Sequence, residues 1–129
     1  MDLILDIGNT FTKLYFFEAS NLVKTFTVKN YESFEEITEF NNISRCIIAS
    51  TGSDSFWKDF LTKRKIAFIT MSKDLKLPVV LDYKTPESLG NDSLAAGCGA
   101  KFLFPNQNVL IIDAGTSITY DIPRKDREI

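Results

Sequence analysis

Leu3-Ile4-Leu5-Asp6-Ile7-Gly8-Asn9-Thr10 is the stretch on which the reading of this chain turns. A short apolar run ends in an aspartate, followed by one apolar spacer, a glycine, a polar residue and a hydroxyl. The same order returns at Leu110-Ile111-Ile112-Asp113-Ala114-Gly115-Thr116-Ser117. Each copy leads into an alternating segment, so each predicts a strand, a tight turn and a second strand. Copies this far apart imply two related domains rather than the short units of a solenoid.

The chemistry of such a turn follows from its residue types. Glycine allows backbone conformations that other residues resist, and it lets a ligand approach the main chain. The amides and hydroxyls that follow can hydrogen-bond phosphate oxygens. Asp6 and Asp113, at the strand ends, can hold a cation directly or through water. Lys13 adds positive charge just after the first turn. Two turns of this kind facing each other would clamp a triphosphate. A pair of ordinary hairpins is the plainer alternative, and the matched position of the second copy argues against it.

Outward from the first copy, Leu3–Ile7, Lys13–Glu18 and Leu22–Val28 read as an antiparallel meander with a turn at Asn21. The spacing of Phe34, Ile37 and Phe40 predicts a helix over Tyr31–Phe40. Arg45–Ser50 contains Cys-Ile-Ile-Ala, a run suited to a buried parallel strand. Asp54–Arg64 is an amphipathic helix carrying Phe56, Trp57, Phe60 and Leu61, and Ile66–Thr70 is the next strand. That order gives a mixed sheet whose later strands are parallel and joined by helices. Met71–Lys84 reads as loop, Pro86 as a helix start, and Ser88–Phe104 as a long helix. Pro105-Asn106-Gln107-Asn108 stops it. Val109–Asp113 and Ser117–Ile122 form the second hairpin, whose apolar edges invite pairing with another chain. The charged tail from Pro123 is expected to fray.

Composition narrows the function classes. The chain has 129 residues, 44% hydrophobic and 25% charged, with a net charge of −2. These are the values of a globular protein. No apolar run approaches the ~20 residues of a membrane helix, and Asp2 and Asp6 interrupt the N-terminal one. A cytoplasmic protein with no membrane partner is expected. The short clusters Lys63-Arg64-Lys65 and Arg124-Lys125 with Arg127 read as solvated surface, so no nucleic-acid partner is expected. Histidine is absent, which removes Ser-His and Cys-His catalysis and His-ligated zinc. Cys46 and Cys98 lack metal spacing and read as buried free thiols.

The other informative stretch is Tyr83-Lys84-Thr85-Pro86-Glu87-Ser88-Leu89-Gly90-Asn91-Asp92-Ser93-Leu94. Gly90 inside a helix costs about 1 kcal/mol against alanine, which is easier to explain if something packs on the backbone there. Asp92 projects from the first turns. Near a phosphate clamp its carboxylate can take the proton of an attacking hydroxyl. On its own it reads more readily as an acid stabilising the helix dipole than as a catalyst, and Tyr83 as an aromatic packed on the core.

Three segments together resemble, in order and spacing, the signatures of type III pantothenate kinases. They are Asp6-Ile7-Gly8-Asn9-Thr10 with Lys13, then Thr85-Pro86-Glu87-Ser88-Leu89-Gly90-Asn91-Asp92, then Asp113-Ala114-Gly115-Thr116-Ser117-Ile118-Thr119-Tyr120-Asp121. The resemblance implies an α/β fold with the ribonuclease-H-like mixed sheet of the actin-like ATPase superfamily. Residues 1–105 would form the first domain, including the long helix, and 106–129 the start of a second, incomplete one. It implies ATP-dependent phosphorylation of pantothenate in coenzyme A synthesis. Asp6, Ile7, Gly8, Asn9, Thr10, Phe11, Thr12 and Lys13, with Thr116, would bind ATP. Tyr83, Gly90, Asn91, Asp92 and Ser93 would line the pantothenate site, with Asp92 as general base. Asp113 would hold a monovalent cation (K+ or NH4+), and Mg2+ would accompany the nucleotide. A homodimer is expected of the full-length protein.

Two departures stand out. The family's middle motif reads Gly-x-Asp-Arg, whereas Ser93 stands here. A serine cannot supply the bidentate contact of a guanidinium, so weaker pantothenate binding is expected. Family members are also longer. A non-catalytic phosphate-binding or protein-interaction remnant is the alternative, in keeping with family members described as accessory factors for bacterial regulators.

Overall fold

Alternation along the first strand decides which of its faces is buried. Strand β1, Asp2–Ile7, buries Leu3, Leu5 and Ile7 and turns Asp2, Ile4 and Asp6 the other way. Strand β2, Phe11–Glu18, buries Thr12, Leu14 and Phe16. Strand β3 spans Asn21–Lys29 and is largely exposed. The turn between β2 and β3 falls at Ala19 and Ser20, with Ala19 in the left-handed region at φ 53°, so Asn21 begins the strand rather than the turn. The computed structural model describes residues 1–30, 37–79, 86–115 and 117–123, and it divides into two units, Met1–Met71 and Ser72–Ile129.

In the first unit, β4 (Arg45–Ser50) pairs parallel to β1, and β5 (Ala67–Thr70) pairs parallel to β4. The sheet has five strands in the order β3-β2-β1-β4-β5. Helix α1, Ser55–Lys63, places Trp57 and Leu61 against the buried face of this sheet. Phe16 and Phe40 meet edge-to-face at 5.8 Å, and Phe40 meets Phe60 at 4.9 Å. Each such pair adds about 0.5–1.5 kcal/mol beyond its area burial. Residues 31–36 of the expected Tyr31–Phe40 helix lie outside the described residues, and Thr38–Asn42 forms a 3-10 turn instead of α-helix. The Phe40 expected on the helix face still reaches the core, because one tight turn suffices to aim it.

Helix α1 ends without glycine. Lys65 takes the left-handed conformation at φ 57°, its amide bonds to the Thr62 carbonyl at 3.0 Å, and the Ile66 amide to Leu61 at 2.9 Å. This is the Schellman pattern, which satisfies the last carbonyls of the helix. The second face of the sheet is only partly covered. Ile4, Phe17, Ile47 and Ile69 line an open groove of about 480 Å³, rimmed by the Asp2–Arg45 ion pair at 2.8 Å. Strand β4 therefore buries Cys46 and Ile48 but leaves Ile47 half-buried, short of the fully buried strand its composition suggested.

The second unit contains helix α2, Asn91–Leu103, and a hairpin of β6 (Ile111–Ala114) with β7 (Ile118–Asp121). A 3-10 turn at Pro86–Ser88 precedes α2. The expected helix from Ser88 thus starts three residues later, because Gly90 is extended (φ −67°, ψ 151°) and stands at the N-cap. Its cost inside a helix is never incurred, since glycine is well accepted at that position. Leu110, Ile112, Ile118 and Tyr120 on the hairpin are all more than half exposed. Among the described residues no helix is long and apolar enough to cross a membrane.

Candidate functional site

The first turn is built from its hydrogen bonds inward. Ile7 of β1 pairs with Thr12 of β2, so four residues, Gly8 to Phe11, make the connection. The Gly8 amide bonds to the Phe11 carbonyl at 2.9 Å. No glycine among the described residues has a positive φ, so Gly8 does not serve a left-handed conformation as expected. It serves close approach instead, since a Cβ there would stand 3.2 Å from the Phe11 carbonyl oxygen. Asp6 and Lys13 face one another across β1 and β2, and Lys13 is exposed.

The carbonyls on either side of Asn9 are occupied. Thr51, in the loop after β4, donates its amide to the Ile7 carbonyl at 3.0 Å and its hydroxyl at 3.4 Å. Asn30 donates Nδ2 to the Gly8 carbonyl at 2.8 Å and its backbone amide to the Thr10 carbonyl at 2.8 Å. Asn9 and Thr10 are exposed, and their amides have no partner among the described residues. Two successive amides are thus without a partner among the described residues while the Ile7, Gly8 and Thr10 carbonyls are taken, a polarity that suits an anion. Ile7 and Thr12 are buried, with the Thr12 hydroxyl bonded internally, so the exposed polar side chains of the turn are those of Asn9, Thr10 and Lys13.

The second turn is an imperfect copy. Ala114 pairs with Ile118, so three residues connect β6 and β7, one fewer than in the first turn. The Gly115 amide bonds to the Ser117 carbonyl at 3.0 Å. Asp113 is exposed on β6, opposite Thr119. Thr116 lies outside the described residues.

At the start of α2, Asp92 occupies the first turn and is exposed. Its Oδ1 accepts the Ser93 amide at 2.8 Å, and its Oδ2 has no partner among the described residues. A Cβ on Gly90 would fall onto Asp92 Oδ1. The group that packs on Gly90 is therefore the carboxylate two residues on, and the glycine sets its rotamer. Asn91 and Ser93 are half-buried beside it, and Tyr83 lies outside the described residues.

Neither thiol is a nucleophile candidate. Burial pushes Cys46 up to about 12 and raises Cys98, which is only half-buried rather than buried as expected. Among the described residues no group of three or more His, Cys, Asp or Glu is placed to hold a metal ion. Sequence reasoning missed Asn30 and Thr51, and it took Trp57 for core alone. The available signal was weak: a polar residue closing β3, and a hydroxyl-rich loop, Ser50-Thr51-Gly52-Ser53, after a parallel strand.

A family model described as type III pantothenate kinase matches residues 2–129. The type III pantothenate kinase of Phocaeicola vulgatus is 39% identical over 125 residues, covering 94% of this chain and 51% of the relative. That of Christiangramia forsetii is 37% identical over 131 residues, covering 98% and 54%. That of Flavobacterium johnsoniae is 40% identical over 128 residues, covering 94% and 51%. The chain spans about half the length of the relatives it matches. A solved Baf family protein from Campylobacter jejuni shares the fold, with a TM-score of 0.52 at 22% identity over 98% of this chain and 51% of that one.

Proposed function

The chain belongs to the type III pantothenate kinase family, and from that premise we propose that the complete protein transfers the γ-phosphoryl group of ATP to pantothenate. The products are ADP and 4'-phosphopantothenate, and the step opens coenzyme A synthesis. The observation that carries this reading is the first turn, where the Ile7, Gly8 and Thr10 carbonyls are occupied and the amides of Asn9 and Thr10 have no partner among the described residues. Asp6 to Lys13 receive phosphate oxygens, Lys13 supplying charge, and Thr116 belongs to the same set. We assign the sheet to the ribonuclease-H-like class of the actin-like ATPases, residues 106–129 to the opening of a second domain, and a cytoplasmic homodimer to the complete protein.

Phosphoryl transfer asks mostly for positioning and charge neutralisation. Asp92 is the proposed general base. Its Oδ1 is tethered to the Ser93 amide, and its Oδ2, without a partner among the described residues, would take the proton of the attacking hydroxyl. Oxygen then attacks the γ-phosphorus, and the bond to ADP breaks. Tyr83, Gly90, Asn91 and Ser93 are assigned to the pantothenate site. Magnesium accompanies the nucleotide. Asp113 is an exposed carboxylate, a hard oxygen donor that fits as one ligand of K+ or a partner of NH4+. Such a cation supplies charge neutralisation when bound.

A coupled assay of ADP release with pantothenate tests the reading, on this chain and on a protein extended to the length of its relatives. Pantothenate-dependent release from the extended protein, lost in Asp92→Asn, is expected. No release from it would sink the kinase assignment. Ser93 favours a second reading, a phosphate-binding or interaction protein without turnover. The serine offers no cation for the pantothenate carboxylate. In that case ATP binds but pantothenate does not.

A further inference from the structure

Asn30 follows β3 and lies far in sequence from the first turn, yet it caps two of that turn's carbonyls, Gly8 through Nδ2 and Thr10 through its backbone amide. What fixes its side-chain amide is a one-way relay. The Trp57 indole can only donate, and it donates to Thr12 Oγ1 at 3.2 Å. Thr12 is fully buried, and its single proton goes to Asn30 Oδ1 at 2.7 Å. With Oδ1 committed as acceptor, the NH2 group must face the Gly8 carbonyl. Direction therefore passes from the indole on α1 to the turn, and no flipped Asn30 satisfies the same partners.

We infer that Asn30 is the positioning residue of the first turn, oriented by Thr12 and Trp57, and that it keeps the Gly8 and Thr10 carbonyls withdrawn so that the amides of Asn9 and Thr10 receive a phosphate chain. The inference rests on the reading of this turn as a phosphate-binding segment and adds the device that shapes it. With the relay cut, the Gly8 carbonyl is released toward the space where an anion would sit. The loss then appears in anion affinity rather than in folding alone.

Titration calorimetry of this chain with inorganic tripolyphosphate and with Mg·ATP tests it, alongside thermal melts. Thr12→Val keeps the shape and removes the hydroxyl, and it should raise Kd about tenfold, the worth of one lost hydrogen bond. Thr12→Ser restores the relay and should bind within about twofold of wild type. Asn30→Ala, at a half-buried position, should weaken binding as Thr12→Val does and serves if that variant does not fold. Ile48→Val, a core change outside the relay's hydrogen bonds, should lower the melting temperature and leave Kd unmoved. The inference is overturned if wild type binds and both relay variants bind equally well, or if Ile48→Val weakens binding as much. Failure of wild type to bind either anion removes the phosphate reading itself, and the role of Asn30 with it.

Discussion

Replacing Gly90 with alanine separates the placing of Asp92 from the folding of α2. The backbone at Gly90 suits any residue, with φ −67° and ψ 151°. Alanine at an N-cap costs about 0.5–1 kcal/mol against glycine, and the lost chain entropy of the unfolded state returns about 0.4–1 kcal/mol. The new methyl falls on Asp92 Oδ1, so the carboxylate must turn to another rotamer and release the Ser93 amide, now 2.8 Å away. That hydrogen bond is exposed and contributes about 0.5–1.5 kcal/mol. The net loss is on the order of 1 kcal/mol, which moves Tm by about 3–6 °C. The kinetic effect is far larger if Asp92 is the base, since misplacing a catalytic group by about 1 Å costs on the order of 100-fold. In the extended protein, kcat for ADP release should fall about 100-fold in Gly90→Ala and by about 10²–10⁴ in Asp92→Asn. The double variant should be no worse than Asp92→Asn, because both changes remove one function. Activity of Gly90→Ala within about threefold of wild type, or additive losses in the double variant, would refute the reasoning.

Three further outcomes follow from the geometry. Lys65→Gly relieves a left-handed lysine at the end of α1 and should stabilise the chain by about 1 kcal/mol, seen as a higher Tm; an unchanged Tm counts against the Schellman assignment. Asp2 and Glu39 are held below their ordinary values of 3.8 and 4.5, chiefly by hydrogen bonds from Arg45 and Lys24. Folded values below unfolded ones mean that their contribution is complete above about pH 5 and fades as pH falls through the folded values. Asp2→Asn should flatten the acid side of a stability-against-pH curve from urea melts, and an unchanged slope below about pH 4 would contradict the pairing. Ile112, Ile118 and Tyr120 share one exposed face of the β6–β7 hairpin, and exposed apolar strands tend to pair. This chain should associate with rising concentration in light scattering, and Ile112→Lys should suppress it; a monomer at every concentration is the contrary result.

The parts of this molecule that sequence made legible are those written in local period and residue type. Leu3, Leu5 and Ile7 alternate, so β1 and its buried face follow directly. The near-continuous apolar run Cys46–Ala49 marked a buried parallel strand, and it does pair parallel to β1 and β5. Local backbone choices were harder. Lys65 and Ala19 adopt left-handed conformations without glycine, and nothing in their side chains announces it. Gly90 was noticed as out of place in a helix, but the reason was sterics with Asp92, which depends on where α2 starts. Asn30 was invisible for a different cause. Its meaning lies in partners 18 to 22 residues earlier in the chain, Thr12 and Gly8, and only the meander of β1, β2 and β3 brings them together.

The two turns also differ in what they need in order to work. The partners of the first turn found among the described residues, Asn30 and Thr51, and the relay of Thr12 and Trp57 behind Asn30, lie within Met1–Met71. Its donor-outward polarity is therefore a property of the first unit by itself, secured by the same core that holds Leu5, Leu14 and Leu61. The second turn has one residue fewer, and its strands carry apolar side chains that remain exposed. The network that would withdraw its carbonyls is not found in the hydrogen bonds of its described residues beyond Gly115 to Ser117. Phosphate affinity and catalysis should thus be separable. On the proposed reading, the first unit would receive an anion whatever becomes of Asp113, whereas turnover would also need Asp92, a cation at Asp113 and a pantothenate site that functions with Ser93. A chain that binds tripolyphosphate without releasing ADP is what this division of labour requires, and turnover without measurable phosphate affinity at the first turn is what it forbids.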